Sequence, residues 1–152
     1  MTLNRTGFLQ RPDCRVYYEV AGSGPPVVFA HGLGGTYLSW WQQVAHFAKS
    51  HTCVVFAHRG FTPSSAVAGE TAPEAYVDDL AALIKELDLG KVSLVAQSMG
   101  GWSCLGYALR EPASVRALVM ASTAGTIKTG LVTRWMTRSA TDPSRKRPIP
   151  TR

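Results

Sequence analysis

Cysteine is scarce in these 152 residues: Cys14, Cys53 and Cys104 are scattered and form no CxxC pair. An odd, dispersed set excludes a disulfide framework and offers no zinc spacing, so no metal is expected. Long apolar runs are missing as well. No stretch reaches the roughly 18 residues of a membrane span, and the first dozen residues lack the apolar core of a secretory signal. A cytoplasmic setting without a membrane partner is the expectation. Neither GxGxxG nor GxxxxGK followed by Ser or Thr occurs, which disfavours a nucleotide cofactor. Residues 1–124 lack any net charge, with nine Lys/Arg against nine Asp/Glu. Residues 125–152 carry seven Lys/Arg against Asp142 alone, so the whole formal charge of +6 belongs to that segment. The basic balance therefore describes a tail. Arg145, Lys146 and Arg147 read as solvated charge, and nucleic acid is not expected as a partner.

What is present suits one domain. The chain is 45% hydrophobic, enough for a single core, and its 14 glycines follow no period. Short β-branched runs at residues 27–30, 53–57, 92–96 and 115–121 read as strands buried on both faces. Residues 15–21 read as a further strand, with a possible partner at 7–10 across a Pro12-Asp13 turn. Tyr76, Val77, Leu80, Leu83, Ile84 and Leu87 form one helical stripe. Thr71 and Glu74 have the spacing of a capping box at its start, and Gly90 suits its stop. Residues 40–49 and 99–110 predict two more helices, the second ended by Pro112. Strands alternating with helices predict a parallel, doubly wound sheet. Beyond residue 124 the sequence turns basic and rich in Pro, Ser and Thr, with too little apolar surface to offset its ordering entropy. Residues 125–152 are expected to be disordered.

Three segments carry chemistry. Val95, Ala96, Gln97, Ser98, Met99, Gly100 and Gly101 follow a strand and open a helix. On such a turn a serine hydroxyl projects past the sheet edge, and the small Ala96 and Gly100 let strand and helix approach. The helix N-terminus favours negative charge developing there. Alternatively, Ser98 simply caps the helix. His31-Gly-Leu-Gly-Gly35 follows another strand, and amides fixed in such a loop can stabilise an oxyanion. His58-Arg-Gly60 follows a third, where Arg59 reads as an ordering hydrogen-bond donor.

Taken together, HGLGG, HRG and SMGG resemble the α/β-hydrolase superfamily, in its branch of small esterases, C–C bond hydrolases and cofactor-free peroxidases. The likeness covers about residues 7–124. It implies an α/β fold: a three-layer, mostly parallel, doubly wound sheet in strand order 1-2-4-3-5-6, lacking the seventh and eighth strands of the family core. It implies Ser98 as the catalytic nucleophile and the amides of Leu33 and Met99 as the oxyanion hole. His31, Gly32, Gly34 and Gln97 would complete the site loops, with His31 shaping its loop rather than acting as base. The implied substrate is an ester or related small acyl compound, with no cofactor.

The pattern breaks after Ser98. A serine needs a base, and the base an orienting carboxylate, which in this family follow the nucleophile as acid and then histidine. The four histidines here are His31, His46, His51 and His58, all upstream; the later acids are Glu111 and Asp142. A few relatives place the acid just after the sixth strand, where Ser122 stands. His58, at the correct sheet edge, is the best-placed substitute base, whereas His46 and His51 read as surface or packing residues. The expectation is a truncated or frame-shifted hydrolase, weak or inactive; the alternative is a non-catalytic module binding a small acyl compound or a partner. Residues 115–121 would form an exposed edge strand suited to self-association.

Overall fold

Residues 3–65 and 72–125 are described by the computed structural model, and along them six strands alternate with three α-helices. β1 (Leu3–Gln10) and β2 (Arg15–Ala21) form an antiparallel hairpin, closed where the Arg11 amide donates to the Cys14 carbonyl at 2.9 Å. β1 starts four residues earlier than its apolar signal. Arg5 and Thr6 are exposed on an edge strand, so pairing with Val20 and Glu19 holds them there and burial does not. β3 (Pro26–Ala30), β4 (Thr52–Phe56), β5 (Val92–Gln97) and β6 (Val115–Ala121) are mutually parallel, and β4 joins β2 antiparallel. The sheet order is β1-β2-β4-β3-β5-β6, as the resemblance implies.

The period of two in strand side chains makes the layers. Val28, Ala30, Val54, Phe56, Leu94 and Ala96 point to one face. There they pack with Leu80, Leu83 and Ile84 of α2 (Pro73–Glu86) and Cys104 and Tyr107 of α3 (Gly100–Arg110). Val27, Phe29, Cys53 and Val55 point to the other face, against Val44 of α1 (Trp41–Phe47). Burying such side chains stabilises by about 1.5–3 kcal/mol each. The three cysteines are buried and unpaired.

Two helix expectations need correction. Residues 40–49 do not form one helix: a 3-10 turn, Tyr37–Trp40, precedes α1. Thr36 sets this start, since its hydroxyl accepts from the Leu38 amide at 3.2 Å while Ser39 Oγ accepts from the Thr36 amide at 3.1 Å. The helix ends at Phe47 because Ser50 and His51 donate back to the Phe47 carbonyl as the chain turns into β4. That turn presses on Gly22, whose φ of +77° and lack of Cβ admit it; a Cβ there would lie 2.7 Å from Ala48 Cα. The second correction concerns α2. Thr71 lies outside the described residues, and the N-cap is Ala72 without a side-chain hydrogen bond. Pro73 opens the helix instead, with φ already suited to it. The expected tail, 125–152, falls almost wholly on residues outside those described.

One buried polar network ties these layers. Arg59 donates from Nε to Asp79 Oδ2 and from Nη2 to Asp79 Oδ1, both at 2.7 Å, and from Nη1 to Asp13 Oδ2 at 2.7 Å. Arg11 Nε adds a bond to Asp79 Oδ1 at 2.9 Å. The hairpin turn, the loop after β4 and α2 are thereby joined through Asp79, which is 2% exposed.

Candidate functional site

Parallel β3, β4, β5 and β6 end at one edge of the sheet, and the loops leaving them meet there. Ala30 is level with Ala96, and Gln97 with Ala121. Ser98 follows β5 with φ of +50°. For a residue with a Cβ this backbone costs on the order of 1–3 kcal/mol and persists only where neighbours enforce it. They do so here: the Ser98 amide donates to the Ala121 carbonyl at 3.0 Å, and the Ser98 carbonyl accepts from Gly101 at 3.0 Å. The turn also brings α3 hard against β3, where a Cβ on Gly100 would stand 2.7 Å from the Ala30 carbonyl carbon. Met99, not Ser98, occupies the helix N-cap, and no side chain caps it. The capping alternative for Ser98 is thus not what the structure holds.

The β3 loop comes alongside. A Cβ on Gly32 would meet Ser98 Cβ at 3.1 Å and Gln97 Cδ at 3.0 Å, so the glycine run begins in contact with the elbow. Gly34 faces open space, and the Leu33 side chain is 70% exposed. Among the described residues the amides of Leu33 and Met99 have no hydrogen-bond acceptor. Gln97 is exposed and Ser98 partly so. Ser98, Gln97, Gly32 and the backbone of Leu33 and Met99 therefore stand together at the sheet edge.

His31 is fully buried. The His58 amide donates to its Nε2 at 3.1 Å, so Nε2 is the acceptor and Nδ1 carries the proton, which it donates to the Gly32 carbonyl at 2.8 Å. Burial holds this imidazole below its usual pKa. The bond from His58 pins the loop after β3 to the turn after β4 and the bond to Gly32 braces the β3 loop itself, a shaping role with both nitrogens occupied.

His58 overturns the expectation of a substitute base. It is 1% exposed, with ring centroids 4.6 Å from His31, 4.8 Å from Phe56 and 5.5 Å from Tyr76. Burial, and after it the neighbouring His31, pushes its pKa down to about 3. Neither ring nitrogen has a partner among the described residues. The strand-end position was legible in the sequence, but the inward direction of the side chain was not. His51 immediately precedes β4, at the opposite edge of the sheet from Ser98, and Phe47 stacks edge-on to both His46 and His51.

Two features escaped the sequence reading. Asp79 anchors Arg59 from α2, and its signal was a carboxylate set inside an apolar stripe. Ser122, just past β6, has φ of +52°, a second strained serine at this edge. Among the described residues no group of three or more His, Cys, Asp or Glu is placed to hold a metal ion, and no helix is long and apolar enough to cross a membrane.

Comparison with known proteins gives this geometry a context. The profile of a family described as alpha/beta hydrolase fold matches residues 25–143. A human mitochondrial palmitoyl-protein thioesterase is 32% identical over 126 residues, 77% of this chain and 40% of that protein. The (E)-2-((N-methylformamido)methylene)succinate hydrolase of Acinetobacter baylyi is 29% identical over 104 residues, 68% of this chain and 40% of that one. A thermophilic esterase from Thermogutta terrifontis superposes with a TM-score of 0.72 at 25% identity, over 92% of this chain and 52% of the esterase. The chain spans 33–42% of the length of such curated relatives.

Proposed function

Because this chain belongs to the alpha/beta hydrolase fold family, we propose that Ser98 is the nucleophile of an acyl-transfer site. The Met99 and Leu33 amides are its oxyanion hole, and a small ester or related acyl compound is its substrate. One observation carries the reading. A serine is held at φ of +50° between β5 and α3, in contact with the glycine loop after β3. Strain at that position is the cost of displaying a hydroxyl at the head of a helix, where backbone donors meet developing negative charge without reorganising. The relatives named as a thioesterase, an esterase and a hydrolase support acyl or related hydrolysis as the reaction class.

The same reading makes these 152 residues a poor catalyst by themselves. His31 spends both nitrogens on the backbone, His58 is sealed among aromatic rings, and no histidine follows Ser98. A complete nucleophile–base–acid unit contributes about 10⁶ in rate, of which an oxyanion hole and binding retain only a small part. Turnover of p-nitrophenyl butyrate should lie orders of magnitude below that of a complete hydrolase. A fluorophosphonate probe should label slowly, and Ser98→Ala should remove that label. Robust turnover would overturn the inactive reading, and labelling that survives Ser98→Ala would overturn the nucleophile. The second reading, a non-catalytic acyl-binding or partner-binding module, is favoured by the lack of a free base; saturable ester binding without any label would establish it.

Two further elements belong to the proposal. The free thiols fit a reducing, cytoplasmic setting, and nucleic acid and membrane have no role in it. Self-association through the outer edge of β6 is the partner interaction that the open strand favours.

A further inference from the structure

After β6 the chain turns back over α3: a Cβ on Gly101 would meet Thr123 Cβ at 3.1 Å, and one on Gly125 would meet Leu105 Cβ at 3.0 Å. Among the described residues this leaves the outer edge of β6 uncovered, with no strand beyond it. Which groups the edge presents follows from one bond. The Ala121 carbonyl accepts from the Ser98 amide, so it points inward, to β5. Amide and carbonyl of one residue share a side, and the side alternates along a strand. Ala117 and Val119 therefore also pair inward, while Leu118 and Met120 hold theirs out. Side chains alternate in the same rhythm. Leu118 and Met120 pack towards α2 and α3; Ala117, Val119 and Ala121 lie on the opposite face, and all three are exposed. The slip in the pairing of β6 with β5 falls before Ala117, so residues 117–121 are the regular stretch. They include no charged residue, proline or glycine, so the devices that commonly blunt an open edge are missing from it.

We propose that β6 pairs antiparallel with the β6 of a second copy, about a two-fold axis at Val119. This pairing rests on the self-association assigned to the same edge and gives it a register. With the axis there, Leu118 stands opposite Met120 of the second copy, and Met120 opposite its Leu118. Each such pair exchanges two hydrogen bonds, so every outward amide and carbonyl of the regular stretch is used. Moving the axis to Leu118 would instead set Met120 opposite Arg116, which lies at the slip. Val119 meets its own counterpart in the close, non-hydrogen-bonded position, with Cα atoms about 4.5 Å apart. That contact covers a side chain now 53% exposed. Ala117 meets Ala121. Apolar side chains face apolar ones on both faces of the joined sheet and no like charges oppose, as a patch that must complement itself requires. So short a ladder buries less than the roughly 1,200 Å² of a standard interface, which makes the pairing reversible and dependent on concentration.

Mild oxidation of two cysteine variants tests the register, with sedimentation velocity of the unmodified chain beside it. Cys14, Cys53 and Cys104 are buried, and the unmodified chain gives their background. Val119→Cys sets two thiols across the axis, within the roughly 4.4–6.8 Å Cα separation of disulfides, and should yield a covalent dimer. Ala117→Cys, on the same exposed face, sets them roughly 14 Å apart and should not. Charge supplies a second readout. Val119→Lys and Val119→Glu should each weaken association by repelling themselves, and their equimolar mixture should associate roughly tenfold more tightly than either alone. An unmodified chain that stays monomeric at every concentration overturns the self-association and this register with it. Association without a covalent dimer of Val119→Cys, with Ala117→Cys cross-linking as well, or without recovery in the mixture leaves self-association standing and overturns the pairing about Val119.

Discussion

Backbone conformation at Ser98 and the missing side chain at Gly100 are two halves of one local solution. The serine takes a left-handed φ where the chain leaves β5, and the chain re-enters a helix by passing close to Ala30. Ser98→Gly releases that strain, and after the entropic penalty of glycine it should stabilise the fold by about 0.5–1 kcal/mol; Ser98→Ala, which keeps a Cβ, should not. Urea denaturation of the two variants separates strain from loss of the hydroxyl. Gly100→Ala forces a methyl against the Ala30 backbone and should destabilise by about 1–3 kcal/mol in the same experiment. The elbow was legible in the sequence because its demands fall on residue types: a serine flanked by small residues at fixed offsets. The fate of His58 was not, because a strand end can aim its next side chain outward or inward with the same residue. Here packing among Phe56, Tyr76 and His31 decided it.

The loops after β3 and β4 are joined by the bond from the His58 amide to His31, and the pairing of Arg59 with Asp79 fastens the second loop to α2. Removing one member of a buried pair strands the other, so Asp79→Ala should destabilise by about 3–5 kcal/mol, read from urea midpoints, and should loosen the turn that carries His58. The buried imidazoles impose a pH dependence of defined sign. His58 in the fold titrates near 3, against an ordinary value of 6.5, so the unfolded chain binds more protons between those limits. Stability is therefore full above about pH 6.5 and falls as the pH drops towards 3, with His31 acting in the same direction. Denaturation at pH 7.5 and 4.5 should show a loss that is smaller in His58→Phe. At this scale strand positions were readable from β-branched runs, whereas β1 was readable only in part. An edge strand needs few apolar residues, and Arg5 and Thr6 gave no signal. The short 3-10 turn before α1 is set by the Thr36 and Ser39 hydroxyls, a local contest that helical periodicity does not report.

For the whole molecule, the parallel, doubly wound class was legible in the alternation of strands and helices, while the strand order was legible only through the resemblance carried by the HGLGG, HRG and SMGG segments. The sheet ends on β6, whose outer side has no partner strand among the described residues. Val119 there is 53% exposed although its strand is apolar. Sedimentation velocity should show association that grows with concentration. Val119→Lys should suppress it while changing stability by no more than about 0.5 kcal/mol, as is usual for exposed positions. The last residue of β6 also accepts the amide of Ser98. That single bond couples the rim of the sheet to the proposed nucleophile: a chain docking there and sliding β6 by a fraction of an ångström would carry the Ser98 peptide plane with it, and the border of the sheet and its elbow would move as one.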